Sequence, residues 1–273
     1  MKNIFFGLCA VVLLCGITWQ QVFAATSIVQ SKTFLLLRSH DMILEPGDDA
    51  KTYVGVYGGI NYNMHNGTFS LVDGTTTCCT FNNGTGIGAV AGVKAFLPLA
   101  SNLYFSPRLA YEGRGGTLRA AEYTNDIIGA DHIIEKATFR NDLDMTLPTI
   151  NLDILSAYTF VPQYGVYVAA GVSSGFVLSK NYTESENILA PSGVYYNGTT
   201  STSKEIAQSS FTDFSALQFG VRVGLGAMVS ISDNISINPE VLYHVPLTAY
   251  TTQYSSTWKT SLIQPTLGIL FTL

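Results

Sequence analysis

Gly86-Ile-Gly-Ala-Val-Ala-Gly-Val-Lys-Ala-Phe-Leu97, then Pro98-Leu-Ala-Ser-Asn102, then Leu103-Tyr-Phe-Ser-Pro-Arg-Leu-Ala-Tyr-Glu-Gly113 is the stretch whose reading decides the fold. Taken by alternate residues, its first half puts Ile87, Ala89, Ala91, Val93, Ala95 and Leu97 on one face and Gly88, Val90, Gly92, Lys94 and Phe96 on the other. The second half sets Leu103, Phe105, Pro107, Leu109 and Tyr111 against Tyr104, Ser106, Arg108, Ala110 and Glu112. Period two on both sides of a short polar turn is the pattern of a β-hairpin. Each arm reaches the ~9–11 residues that a tilted strand needs to cross a bilayer. One face is suited to lipid, while the other carries glycine, serine and sparse charge.

Working outward, the same pattern recurs. Strand-like alternation is read over 51–64, 143–160, 166–178, 217–229, 235–243 and 263–273, which with the two arms of the hairpin makes eight strands. The connections alternate between long polar loops and short turns, as in a membrane-spanning, antiparallel, up-and-down β-barrel. Asn102 to Tyr111 and Asn234 to Tyr243 align position by position, including Pro107 with Pro239 and Arg108 with Glu240, so one hairpin design is used twice. Two features strain the pattern. Pro107, Pro239 and Pro265 fall inside strands, where each removes a ladder donor, and bulges near the periplasmic rim are the expected remedy. The alternation also changes phase at Pro148, for which a bulge is again expected. The segment from Lys32 to Leu44 and the connection 114–141 each leave room for a further strand, so the count stands open between eight and ten; within that connection Thr117 to Tyr123 and Ala137 to Asp144 are read as continuing the flanking strands beyond the membrane.

Composition agrees with a barrel. Of the 273 residues 12% are charged and 47% hydrophobic, against about 25% charged in a soluble domain. After the N-terminus there is no apolar run of about 18 residues, so the apolar residues are dispersed by alternation and not gathered in helical spans. Fifteen Tyr and fifteen Phe suit girdles at the two bilayer interfaces. A net charge of −5 argues against nucleic acid as a partner. A soluble secreted barrel would need a richly charged second face, whereas here that face is mostly Gly, Ala, Ser and Tyr.

Residues 1–24 read as a signal peptide: Lys2, an apolar core from Ile4 to Ile17, and Val22-Phe23-Ala24 before the cleavage point. Residues 25–50 read as a periplasmic leader broken at Pro46-Gly47, and 51–273 as the transmembrane barrel. Outside the signal, Cys78 and Cys79 are adjacent. A disulfide between neighbours would close a strained ring, and two thiols alone do not make a zinc site.

The signal peptide, eight alternating segments, Pro-x-x-x-Tyr strands and alternating apolar C-terminus together resemble small outer-membrane β-barrel proteins of Gram-negative bacteria, of the OmpA-type and PorT-type. The resemblance covers about Lys51 to Leu273 and implies architecture more than activity. Leu273 stands where an aromatic residue is common in such proteins, with Phe271 two positions before it.

The inward charges Lys94, Arg108, Glu112, Asp153, Arg222 and Glu240 are the residues singled out. An eight-stranded barrel is filled by side chains, and buried charges must pair, so a lumen charge network of structural role is expected. No catalytic residue, cofactor or metal is expected. The role expected is structural or surface-interactive: envelope integrity, adhesion or docking. Partners would be outer-membrane lipid and lipopolysaccharide and an envelope or surface protein reached through loops, with the barrel itself a monomer. A narrow pore is the first alternative. A lipid-modifying enzyme is the second; it would use His244, four residues after Glu240, read as lying at the rim. The loop tyrosines Tyr123, Tyr182, Tyr195, Tyr196, Tyr250 and Tyr254 suit either a recognition surface or loop packing.

Overall fold

A computed structural model describes residues 51–73, 76–128, 134–251 and 257–273, with main chain alone at 69, 71–73 and 76–78. The signal-peptide and leader readings, 1–24 and 25–50, lie outside the described residues, as do His40, His132 and Tyr254. In chain order the strands are β1 (Tyr53–Asn66), β2 (Phe69–Asp73), β3 (Thr76–Ala100), β4 (Leu103–Gly113), β5 (Gly116–Ala120), β6 (Tyr123–Ile128), β7 (Ile134–Thr146) and β8 (Pro148–Val161). They continue as β9 (Val166–Val177), β10 (Asn181–Ala190), β11 (Ser203–Ser210), β12 (Leu217–Ala227), β13 (Val229–Ser232), β14 (Ile235–Pro246) and β15 (Lys259–Thr272).

Eight of these close a barrel in the order β1-β15-β14-β12-β9-β8-β4-β3, and β3 returns to β1. All pairings are antiparallel. Tight connections at 101–102, 162–165 and 233–234 mark one rim, to which Tyr53 and Thr272 also belong. The outer wall is apolar and exposed: Val56, Val93, Leu109, Leu152, Val223, Val241 and Leu267 all face outward. Along β8 the outward residues Ile150 to Phe160 cover about 33 Å of strand at ~3.3 Å per residue. At a tilt of ~40° that is about 25 Å of height, the apolar band a bilayer requires.

β13 extends β12 at the rim of short turns, and the other remaining strands raise the wall beyond that band on the opposite side. β5 and β7 continue β4 and β8, β10 follows β9, and β11 pairs β10. Much of what reads as polar loop in the sequence, 65–83 and 181–213, is thus strand, and β5 and β7 continue the flanking strands as expected of Thr117–Tyr123 and Ala137–Asp144. Thr, Ser and Asn predominate there because both faces of this part of the sheet meet water or a small protein core, and neither meets lipid.

The two bulge expectations are overturned. Between β4–β5 and β8–β7 the register is constant, from Leu103 opposite Tyr158, through Gly113 opposite Pro148, to Arg119 opposite Asp142. The Arg114 amide bonds the Leu147 carbonyl across the apparent break, at 3.0 Å. No residue is inserted. Leu143, Met145, Leu147, Thr149, Asn151 and Asp153 all point inward. What changes at Pro148 is the surroundings: below it the outside is lipid and the inside polar, and above it the inside is the apolar core of a water-exposed cap. At the prolines, likewise, the register does not shift. The β3–β4 ladder is interrupted between Lys94–Arg108 and Leu97–Phe105, beside Pro107, and the β1–β15 ladder skips from Gly59–Thr266 to Tyr62–Ile263, beside Pro265. Pro239 faces the break between β12 and β13. Each proline therefore turns its missing N–H toward a local gap in one ladder and keeps its pairing on the other side.

Candidate functional site

Inside the barrel the side chains form three layers. At the rim of short turns Phe96, Leu155, Ala157, Tyr167, Ala169 and Leu270 pack together. Phe96 meets Tyr167 edge-on at 5.5 Å and Tyr104 at 6.2 Å. At the opposite end Phe81, Leu118, Leu143, Met145, Leu147, Phe211, Tyr250 and Trp258 form a second apolar cluster. Between the two lies the charged layer.

Glu240 on β14 is the centre of one ion cluster. Arg108 on β4 grips its carboxylate with two donors, Nη1 to Oε2 at 2.5 Å and Nη2 to Oε1 at 2.7 Å. Lys94 on β3 approaches Oε2 at 3.2 Å, and the Tyr167 hydroxyl donates to Oε1 at 3.0 Å. Glu112 on β4 is the centre of the other. It receives Arg114 Nη2 at 2.8 Å, Arg222 Nη2 at 2.6 Å and Gln264 Nε2 at 3.1 Å. Asp153 Oδ2 lies 3.1 Å from Arg222 Nη1 without the alignment of a hydrogen bond, while Asp153 Oδ1 accepts from Asn151. Asn151 in turn accepts from Arg114 at 2.7 Å and from Ser173 at 3.1 Å.

All six residues singled out in the sequence, Lys94, Arg108, Glu112, Asp153, Arg222 and Glu240, lie in this layer and are at most 3% exposed. Arg114 joins them, though the sequence places it in a connection. Extending the alternation of Arg108 and Glu112 by two residues would have found it. Asn61 and Asn63 reach the Gly113 and Gly115 carbonyls above the network, and His65 Nδ1 accepts from Trp258 at 3.2 Å. Four cations and three carboxylates are gathered here.

His244 does not lie at a rim. It faces the interior, 2% exposed, with Gly220 across the strand pair leaving room for its ring. The tyrosines mostly serve packing. Tyr250 is buried against Phe214 and Trp258, Tyr182 lies on Phe211, and Tyr123 stacks on Phe139. Tyr123 and Tyr196 both donate to Glu186; Tyr195 is 51% exposed and Tyr123 37%. Among the described residues no group of His, Cys, Asp and Glu is placed to hold a metal ion.

A family model described as outer membrane protein beta-barrel domain matches residues 45–251. No curated protein sequence matches the chain. Among solved structures it is similar to Ail of Yersinia pestis, at 10% identity and a TM-score of 0.29, over 82% of this chain and 99% of that one. It is similar also to the outer membrane protease OmpT of Escherichia coli, at 9% identity and 0.35, over 83% and 98%. Neisserial surface protein A matches at 10% identity and 0.33, over 81% and 97%. Scores this low carry no argument about residues or activity.

Proposed function

The chain belongs to the outer membrane protein beta-barrel domain family, and on that premise we propose that it is a closed outer-membrane barrel whose work is done by the wall it raises above the bilayer. Its role is surface interaction: adhesion, or docking to another envelope component. It is exported by a signal peptide over 1–24, followed by a periplasmic leader over 25–50. It acts without catalysis or cofactor, as a monomer in contact with lipid and lipopolysaccharide.

One observation carries this reading. The chain invests strands β5, β6, β7, β10 and β11 above the apolar band on one side of the barrel. From Thr146 to Ile134, β7 alone rises about 40 Å along the strand at ~3.3 Å per residue. Near the tip of the β6–β7 hairpin the cross-strand pair Ile128 and Ile134 is 73% and 68% exposed to water. Large exposed apolar residues so far from lipid suit contact with a partner. The narrow-pore reading is disfavoured by apolar layers on both sides of the ion network.

The test compares cells displaying the full chain with cells displaying Ile128→Asp/Ile134→Asp, scored for self-aggregation and attachment to coated surfaces. Attachment is expected to fall while the heat-shifted gel band of the folded barrel persists. Equal attachment, together with steady single-channel current from the purified protein in a planar bilayer, would replace this reading with the pore.

A further inference from the structure

The outer wall changes character just above Tyr62, Ile87, Tyr111 and Ile263. There, across β1, β3 and β5, lies an open depression of about 640 Å³. Tyr62 and Met64 line its lower part, and Asn66, Asn83, Thr85 and Arg119 its upper part. The depression coincides with a register shift of β3 between Asn82 and Gly84. A second, smaller one of about 240 Å³ lies on the same wall, lined by Ile87, Tyr111, Gly113 and Gly115 among others.

The charges around it are uneven. Lys259 on β15 is opposite Asn66, and Arg119 on β5 is opposite Asn82. The Asn83 side chain is tied to the same row by accepting from the Gly67 amide at 3.2 Å. Two cations therefore flank a row of amides across four strands, about 14 Å apart at ~4.8 Å per strand. Among the described residues neither cation is in an ion pair. The carboxylates nearest in register are already engaged. Asp142, opposite Arg119, is held by Arg140 at 2.7 Å, and Asp144 accepts from the Thr117 hydroxyl.

We infer that this depression is a docking site for an anionic outer-leaflet lipid, with its phosphorylated headgroup held by Arg119, Lys259 and the amides of Asn66 and Asn83 and its acyl chains lying along Tyr62, Ile87 and Ile263. The inference rests on the outer-membrane reading. The occupant follows from position and charge together. An apolar floor directly beneath unpaired cations, on a wall that faces lipid, matches a molecule with the same order of parts. A soluble anion would have no use for the floor, and a neutral lipid none for the cations.

The experiment uses the full chain folded in detergent, with bis-phosphorylated lipid A and its dephosphorylated form as probes, read by native mass spectrometry. The wild type should retain the phosphorylated lipid in preference. Arg119→Gln/Lys259→Gln should lose about thirtyfold in retention, from about fivefold per basic side chain at a membrane surface. Lys204→Gln, a cation of the upper wall over Tyr196, should lose nothing. Unchanged retention in the double variant, an equal loss in Lys204→Gln, equal retention of the dephosphorylated lipid, or displacement by inorganic phosphate would each overturn the site. Those failures are distinct from failure of the membrane reading, which would appear as protein that stays soluble without detergent and shows no heat-shifted band.

Discussion

Replacing Glu240 with glutamine keeps the size of the side chain and removes its charge. Arg108, bound by two hydrogen bonds of 2.5 and 2.7 Å, and Lys94 at 3.2 Å then lose their anion. The side chains of all three are at most 1% exposed. Breaking a pair in such a place costs about 3–5 kcal/mol, because an uncompensated charge is left out of water. The Tyr57 ring, 4.9 Å from Lys94 Nζ, remains as a partner, but a cation–π contact contributes about 2 kcal/mol at best. If water filled the lumen, the same pair would contribute only about 0.2–1 kcal/mol. Equilibrium urea unfolding in lipid vesicles separates the two cases. A loss of several kcal/mol is expected for Glu240→Gln. The triple variant Glu240→Leu/Arg108→Met/Lys94→Met should recover it, since an apolar replacement of a buried cluster is often neutral or stabilising by about 1–4 kcal/mol. A Glu240→Gln protein within about 1 kcal/mol of wild type would refute the claim of a dry, packed interior.

Gly55→Ala and Gly59→Ala should abolish the heat-shifted band, because an added Cβ would lie 2.0 Å from the Ile269 carbonyl oxygen and 2.2 Å from that of Pro265, across the seam that closes the barrel. Gly58→Ala should keep the band, its nearest neighbour being the Val90 oxygen at 3.6 Å. Leu143→Ala should cost about 2–5 kcal/mol in the cap alone, seen as faster proteolysis of 114–146 while the membrane-embedded part stays protected. The Tyr196 phenol is raised above the ordinary value of 10.0 by burial, by the hydrogen bond it donates to Glu186 and by that carboxylate's charge. Its neutral form is therefore favoured by folding, and the stability it contributes is complete below the ordinary tyrosine range and lost as pH rises beyond it. Proteolysis of the cap should accelerate at such pH in wild type, and Tyr196→Phe should flatten that response; an identical pH response in the two proteins would count against it.

Legibility in the sequence followed the range of the interaction. The eight strands, their lipid faces and the inward positions of Arg108, Glu112 and Glu240 come from alternation, which is local. Arg114 escaped because Gly113, Gly115 and Gly116 around it read as loop, although its parity matches that of Glu112. His244 was placed at a rim because parity gives a face and not a depth. The apparent slip at Pro148 was a change of solvent around a register that runs unbroken from β7 into β8.

The sequence by itself determined which residues face lipid and which face inward, because a strand's side chains alternate regardless of what lies beyond them. Only the tertiary structure decided the partners. Glu240 meets Lys94 and Arg108 from 146 and 132 residues away, which requires the closure of β3 onto β1 and of β1 onto β15. The same holds on the outside: Gly86 to Gly113 supplies an apolar surface, but Arg119 and Lys259 flank one depression only because β15, β1, β3 and β5 are neighbours in the closed sheet. Which charges are neutralised and which stay available is set by that closure, since ion pairing acts across space while the pattern that builds each strand acts along the chain.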